Sequence, residues 1–278
     1  MLSQMEWWKK LVGEEGVYVE IRKDNVVDVY FKGRLVAKLE VKRGVLKASC
    51  HKKYLMSSKE SGYVDCREKL ETNYKDIING IEDYVQSKKH ANEEDISEKE
   101  IHGRMIAGSI QEKLNYFIDS EFAHRYEDGK SSTVRFDMIA IVGNQLHFLE
   151  LKRIQDSRLL DKNDDNPEVL VQMEKYANFM KENAEALQKY YKKLYHIKKE
   201  LGLPVPDCNI DKLQVNEKPH LVICNTYPKK TSKRDTRIKG IKEILDNKSD
   251  KFSWSLDDIK TIHDILKFIQ SQSTESAE

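Results

Sequence analysis

The chain lacks the features that mark several large classes of protein. Its four cysteines, Cys50, Cys66, Cys208 and Cys224, form no C-x-x-C pair, so they match neither a zinc or iron–sulfur site nor a disulfide framework. No apolar stretch approaches the roughly 18 residues of a membrane-spanning helix. We therefore expect a protein of the reducing cytoplasm that does not act at a membrane.

An excess of charge of one sign is also missing. The 278 residues include 48 Lys and Arg against 47 Asp and Glu, a net charge of +1, so a polyanion partner must be argued from local patches. The first residues, MLSQMEWWKKLVGEE, are charged too early and too often for a secretory signal peptide, and we expect none. With 39% apolar residues, the chain can form a sizeable core.

The first 90 residues predict a small β-rich module with one helix. Residues 17–48 alternate in part between apolar and polar side chains, and Asp24-Asn25 and Lys32-Gly33 are turn signals between short strands. Between residues 66 and 90, apolar side chains recur every three or four positions, which is typical of an amphipathic helix.

A charged linker at 87–100 leads to a second predicted domain at 91–270, and residues 271–278 predict a disordered tail. The second domain reads as helix, three strands, helix and strand, at residues 98–114, 116–126, 133–142, 145–152, 167–201 and 220–224. Gly143-Asn144 is a tight hairpin signal between the second and third of these strands. The fold class is therefore α/β, with a mixed sheet flanked by helices.

Charged residues interrupt two apolar runs in VRFDMIAIVGNQLHFLELKR, residues 134–153. Asp137 lies among apolar side chains, and Glu150 and Lys152 share one face of a strand because alternate side chains point the same way. Two carboxylates at the edge of a core repel each other and are costly to desolvate. A divalent cation removes both costs, and carboxylate oxygens suit Mg²⁺ (or Mn²⁺). A lysine beside such an ion can stabilise charge on a phosphate.

The triplet of Asp137, twelve intervening residues and Glu150-Leu151-Lys152 resembles the D-(x)n-(D/E)-x-K signature of the PD-(D/E)XK nuclease superfamily. Phe136 stands where the family name has proline. The resemblance covers residues 98–224 and implies a restriction-endonuclease-like α-β-β-β-α-β core. It also implies Mg²⁺ or Mn²⁺ held by Asp137, Glu150 and the backbone carbonyl of Leu151.

Two further features point to the RecB-like subgroup of that superfamily. Gln172 and Tyr176 reproduce its Q-x3-Y motif on a helix about 20 residues after the lysine, where a spacing of four places both on one face. They join Asp137, Glu150 and Lys152 as candidate catalytic residues. The subgroup also has a histidine ligand on its first helix, and His102 is the candidate for that role. The alternatives in the same helix, Glu98, Glu100 and Glu112, remain open.

Basic residues suggest where a nucleic acid binds. Residues 229–242 contain seven Lys or Arg and one acid, Asp235, and we predict a basic loop that contacts phosphate. The candidate nucleic-acid-binding residues are Lys229, Lys230, Lys233, Arg234, Lys192 and Lys193. For the last two, a solvated helix face is an equal alternative.

The leading hypothesis is a Mg²⁺-dependent nuclease that hydrolyses phosphodiester bonds of DNA. The main alternative is a catalytically silent nucleic-acid-binding or assembly module that keeps the nuclease fold, and a non-nuclease metal hydrolase is a weaker one. The ordinary interpretation of Glu150 and Lys152 is a solvent-facing strand edge, and that of Gln172 and Tyr176 is an amphipathic helix. A homodimer, the type of cleavage and the choice between DNA and RNA are left open.

Overall fold

The structure is a computed structural model that describes residues 2–55, 62–88, 97–125, 133–160, 166–227, 229–248, 250–257 and 262–275. The chain divides into two compact units. Unit 1 comprises Met1–Leu114 with His196–Pro204, and unit 2 comprises Asn115–Tyr195 with Val205–Glu278. Each unit has its own sheet, and within the described residues there are seven α-helices, which confirms the α/β class.

Unit 1 contains a five-stranded antiparallel sheet whose strands are neighbours in sequence order. Its strands are β1 Val17–Arg22, β2 Val26–Phe31, β3 Arg34–Lys42, β4 Val45–His51 and β5 Tyr63–Asp65. The predicted turn at Lys32-Gly33 is confirmed, since both residues have positive φ, 47° and 81°, as a two-residue hairpin turn requires. A second such turn lies at Arg43-Gly44.

The helices of unit 1 are α1 Glu6–Val12, α2 Arg67–Asn73, α3 Lys75–Lys88 and α4 Glu98–Gln111. Ser97 caps α4 by accepting a hydrogen bond from the Glu100 N–H at 3.2 Å. The β2–β3 turn contacts α4 where each segment has a glycine, Gly33 in the turn and Gly103 in the helix. A Cβ on Gly103 would lie 2.2 Å from the backbone nitrogen of Gly33. This approach is possible only because neither residue has a side chain, and it fixes α4 against the sheet of unit 1.

Unit 2 contains a mixed six-stranded sheet in the order β11-β10-β8-β7-β6, with a short β9 paired to β8. Its strands are β6 Phe117–Arg125, β7 Thr133–Val142, β8 Gln145–Arg153, β9 Gln214–Val215, β10 His220–Cys224 and β11 Ser253–Asp257. Strand β8 is antiparallel to β7 and parallel to β10. Residues 146–152 of β8 are all buried, as expected for a central strand covered on both faces.

Three helices complete unit 2: α5 Glu168–Glu200, α6 Ser232–Lys248 and α7 Ile262–Glu275. Helix α5 packs on the sheet through aromatic side chains, with the ring of Phe136 4.8 Å from that of Phe148 and 4.4 Å from that of Tyr176. The last residues of α5 belong to unit 1. There Gly202, with a φ of 72°, ends the helix, and the Leu203 N–H donates back to the Lys198 carbonyl.

The predicted order of helix, three strands, helix and strand is present as α4, β6, β7, β8, α5 and β10, with the two-residue β9 as an addition. The division into units differs from the predicted boundary at residue 90. Helix α4 belongs to unit 1 because the Gly33–Gly103 approach ties it to the first sheet. Helix α7 extends to Glu275, into the range predicted as a tail; residues 276–278 lie outside the described residues, as does most of the predicted linker. Among the described helices, none combines the length and apolar character that a membrane crossing needs.

Candidate active site

The site is built where the β7–β8 hairpin opens. Paired residues run from Val142↔Gln145, beside the tight turn at Gly143, to Met138↔Leu149. Beyond this pair, a side chain links the two strands. Oδ2 of Asp137 accepts a hydrogen bond from the backbone N–H of Leu151 at 2.7 Å. The Asp137 carboxylate therefore stands where a backbone carbonyl of the neighbouring strand would otherwise accept.

Glu150 and Lys152 lie on the buried central strand, with side chains that are only 5% and 3% exposed. The Lys152 ammonium contacts Oε1 of Glu150 and lies 3.2 Å from the Leu151 carbonyl oxygen. Three of the predicted site residues thus surround the backbone of Leu151. Asp137 binds its N–H, Lys152 its carbonyl, and Glu150 precedes it in the chain.

The pKa of the Glu150 carboxyl is far from its ordinary value. Burial and the neighbouring Asp137 charge raise the pKa of Glu150 to about 7, against the opposing effects of Lys152 and Gln172. The two carboxylates are therefore close enough to repel each other. This is the arrangement that a cation stabilises, and perturbed carboxylates in a cluster mark candidate functional sites.

Gln172 and Tyr176 lie on α5, and a hydrogen bond from Gln172 links this helix to Glu150. The Gln172 side-chain amide donates to Oε1 of Glu150 at 2.8 Å and lies 2.7 Å from the Tyr176 hydroxyl. Burial, followed by the Glu150 charge, raises the pKa of Tyr176, so its hydroxyl stays protonated. The Q-x3-Y pair thus holds the Glu150 carboxylate in one position.

The four candidates for an extra ligand lie on or just after α4, which belongs to unit 1, whereas the residues above belong to unit 2. His102 is buried, and Glu100 binds Arg104 of the same helix at 2.6 Å. Glu98 is half-buried, and Glu112 is exposed at the helix end. Among the described residues, no group of three or more His, Cys, Asp and Glu side chains is placed to hold a metal ion.

The predicted basic loop is wrong for most of its length, because α6 begins at Ser232. The Thr231 hydroxyl accepts from the Arg234 N–H at 3.2 Å, and Ile241 and Leu245 are buried, so local capping and packing support a helix. Lys229, Lys230 and Lys233 are exposed, and Arg234 pairs with Asp235 at 2.9 Å.

One basic residue of this segment has a structural role that the sequence does not reveal. The Arg237 guanidinium donates to the backbone carbonyls of Ile154 and Asp156, both at 2.6 Å. It therefore anchors α6 to the chain that leaves β8, two residues beyond Lys152. No local pattern in the sequence distinguishes Arg237 from the neighbouring lysines.

The two lysines on α5 differ from each other. Lys192 donates to the backbone carbonyl of Asp211 at 2.7 Å, whereas Lys193 is exposed. The exposed candidate cations of unit 2 are therefore Lys193, Lys229, Lys230 and Lys233.

No family model, curated protein or solved structure matches the chain. The function is therefore inferred from the residues and their geometry.

Proposed function

We propose that unit 2 is a metal-dependent nuclease that hydrolyses phosphodiester bonds of DNA. The observation that carries this proposal is the convergence of Asp137, Glu150 and Lys152 on the backbone of Leu151 at the open end of the β7–β8 hairpin. Two interacting carboxylates and a lysine on buried strands are costly to keep unless they act together on a ligand. Within unit 2, the order of β6, β7, β8, α5 and β10 matches the later part of the core that the PD-(D/E)XK resemblance implies, whereas α4, at the position of its first helix, belongs to unit 1.

The donor atoms suit Mg²⁺ or Mn²⁺. The Asp137 carboxylate, the Glu150 carboxylate and the Leu151 carbonyl are all hard oxygen donors, and Mg²⁺ binds through one or two carboxylates while keeping several waters. When bound, such an ion supplies a water of lowered pKa and offsets negative charge on the phosphate.

The protein's own side chains supply the remaining steps. Lys152 carries a positive charge beside the metal ligands, where it stabilises the extra negative charge that develops on the phosphate oxygens. Gln172 keeps the Glu150 carboxylate oriented through its 2.8 Å hydrogen bond, and Tyr176 packs against Phe136 to hold that part of α5 in place. The exposed cations Lys193, Lys229, Lys230 and Lys233 contact the phosphate backbone of DNA away from the site of cleavage.

A catalytically silent nucleic-acid-binding module is the second candidate. It is favoured by the absence, among the described residues, of a third His, Cys, Asp or Glu beside Asp137 and Glu150. The basic residues then remain the binding surface, and the carboxylates and Lys152 serve only as a buried ion cluster.

The deciding experiment incubates the protein with supercoiled plasmid, linear duplex and single strands in the presence of Mg²⁺ or Mn²⁺. We expect cleavage by the wild type, none by Lys152→Ala, and unchanged cleavage by Lys9→Ala, which removes an exposed lysine of unit 1. Binding of DNA by Lys152→Ala should remain close to that of the wild type, because the role of Lys152 belongs to the transition state. DNA binding without cleavage by the wild type would establish the silent module instead.

A further inference from the structure

Lys152 occupies the place that the proposed function assigns to a cation. Its ammonium contacts Oε1 of Glu150 and the carbonyl oxygen of Leu151, two of the three predicted oxygen donors to the metal. The contact is buried, since the side chains of Lys152 and Glu150 are 3% and 5% exposed. The protein therefore carries its own positive charge at the position where a divalent ion would share the same oxygens.

The energetic reason for this contact is the carboxylate pair. Glu150 is buried beside Asp137, and a buried carboxylate without a partner strongly destabilises a folded protein. Lys152 belongs to the same strand, two residues further on. It therefore neutralises Glu150 without the loss of translational entropy that accompanies the binding of an external ion. The Leu151 carbonyl then provides a second acceptor for the same ammonium.

We infer that Lys152 is an internal counter-cation which holds the site together when no metal is bound and competes with the metal for Glu150 and the Leu151 carbonyl. This inference rests on the proposed function. Metal binding requires the ammonium to leave both oxygens, and the displaced ammonium is then available to a phosphate oxygen of the substrate. One lysine thus lowers the affinity of the site for metal and, once displaced, serves the reaction.

Metal affinity is the direct measure of this competition. Mn²⁺ is titrated, without DNA and at pH 8, into the wild type, Lys152→Met and Lys152→Arg, and free Mn²⁺ is followed by electron paramagnetic resonance. Methionine keeps most of the side-chain volume and removes the charge, whereas arginine keeps the charge. We expect Lys152→Met to bind Mn²⁺ more tightly, on the order of 5–150-fold, the usual range for coupling between two ligands. Lys152→Arg should remain close to the wild type.

Two controls separate this inference from the proposed function. Glu150→Gln should lose Mn²⁺ binding if the site is correct, and circular dichroism of each variant with and without Mn²⁺ reports whether it folds. If Lys152→Met folds only with Mn²⁺, the role of Lys152 as the internal cation is supported directly. Equal or weaker Mn²⁺ binding by Lys152→Met would overturn the inference while leaving the metal site intact. Failure of the wild type and of Lys152→Met to bind Mn²⁺, or binding that Glu150→Gln does not change, would overturn the proposed metal site and the inference together.

Discussion

The carboxylate of Asp137 accepts a hydrogen bond from the backbone N–H of Leu151 at 2.7 Å, across the open end of the β7–β8 hairpin. This contact makes Asp137 part of the sheet as well as part of the candidate site. It orients the carboxylate towards the residue whose carbonyl faces Lys152. The two roles of Asp137 can be separated by substitution.

Asp137→Asn should strongly reduce cleavage without loss of stability. The asparagine side-chain oxygen can still accept from Leu151, but its charge is lost, and we expect a fall of roughly 100-fold or more in the cleavage rate. Asp137→Ala should lose cleavage and also about 1–3 kcal/mol of stability, because the Leu151 N–H is left without this acceptor. Urea unfolding and plasmid cleavage test both variants. Equal unfolding midpoints for the two would show that the hydrogen bond does not stabilise the sheet.

Gln172 and Tyr176 should differ in their effects, although they belong to one motif. Gln172→Ala removes the amide that donates to Glu150, and we expect roughly 10-fold slower cleavage with DNA binding nearly unchanged. Tyr176→Phe keeps the ring against Phe136 and removes only the hydroxyl, so its cleavage rate should stay within about threefold of the wild type. Single-turnover cleavage at saturating DNA measures both. A larger loss for Tyr176→Phe than for Gln172→Ala would assign the hydroxyl a direct role.

Local patterns explain why much of unit 2 is predictable from sequence. The two apolar runs of residues 133–152 and the Gly143-Asn144 turn between them specify the hairpin, and Gly202 ends α5 as predicted. Helix α6 is not predictable from a local pattern, because it contains more Lys and Arg residues than buried residues. That helix depends on the packing of Ile241 and on the bonds of Arg237 to carbonyls more than 80 residues earlier in the chain.

The candidate site is also only partly predictable from the sequence. Residue type and spacing single out Asp137, Glu150, Lys152 and Gln172, but the contacts of Asp137 and Lys152 with the backbone of Leu151 depend on how far the two strands stay paired. The assignment of α4 to unit 1 likewise depends on contacts between residues distant in sequence, such as the approach of Gly33 to Gly103 and the hydrogen bond from Gln111 to Glu15. Neither feature has a local signal.

The basic residues after β10 should determine DNA affinity and its salt dependence. Replacing Lys229, Lys230, Lys233 and Arg234 with alanine should weaken binding and reduce the slope of log affinity against log salt by roughly 0.9 per lost phosphate contact on duplex. The chemical step at saturating DNA should remain nearly intact, because the exposed lysines of this set contact phosphates away from the cleaved bond.

The control for this prediction removes four exposed lysines from unit 1: Lys9, Lys42, Lys47 and Lys75. Fluorescence anisotropy at three salt concentrations, with Lys152→Ala present in each protein to prevent cleavage, compares the two sets. The same salt slope in both sets would show that the segment after β10 is merely solvated.

A buried histidine pair predicts loss of stability in mild acid. Nδ1 of His147 lies 2.9 Å from Nε2 of His220, and burial lowers the pKa of His147 to about 4 and that of His220 well below its usual value. In the unfolded chain both titrate near 6.5, so below that pH the unfolded state binds more protons. The contribution of this pair to stability should therefore be constant above about pH 6.5 and should fall as the pH drops towards 4. The lowered pKa of His147 alone should reduce the free energy of unfolding by about 2 kcal/mol at pH 5.

The pH effect must be separated from that of Glu150, whose raised pKa acts in the opposite direction between about 4.5 and 7. His147→Asn keeps a polar atom near the position of Nδ1 and removes the titration. The difference in unfolding free energy between the wild type and His147→Asn should therefore shift in favour of the variant as the pH falls from 7 to 5. A constant difference would contradict the buried, neutral state of His147.

The meeting of Gly33 and Gly103 can be tested with a matched pair of substitutions on one helix. Gly103→Ala places a Cβ 2.2 Å from the backbone nitrogen of Gly33, and backbone cannot move aside as a flexible side chain can. We expect a loss of about 1–3 kcal/mol or more, as for overpacked cores. Gly108→Ala lies on the same helix with no atom within 4 Å of the new Cβ, so its higher helix propensity should stabilise by up to about 1 kcal/mol. Thermal and urea unfolding of both variants measure the difference. Stabilisation by both substitutions would show that α4 and the β2–β3 turn do not approach this closely.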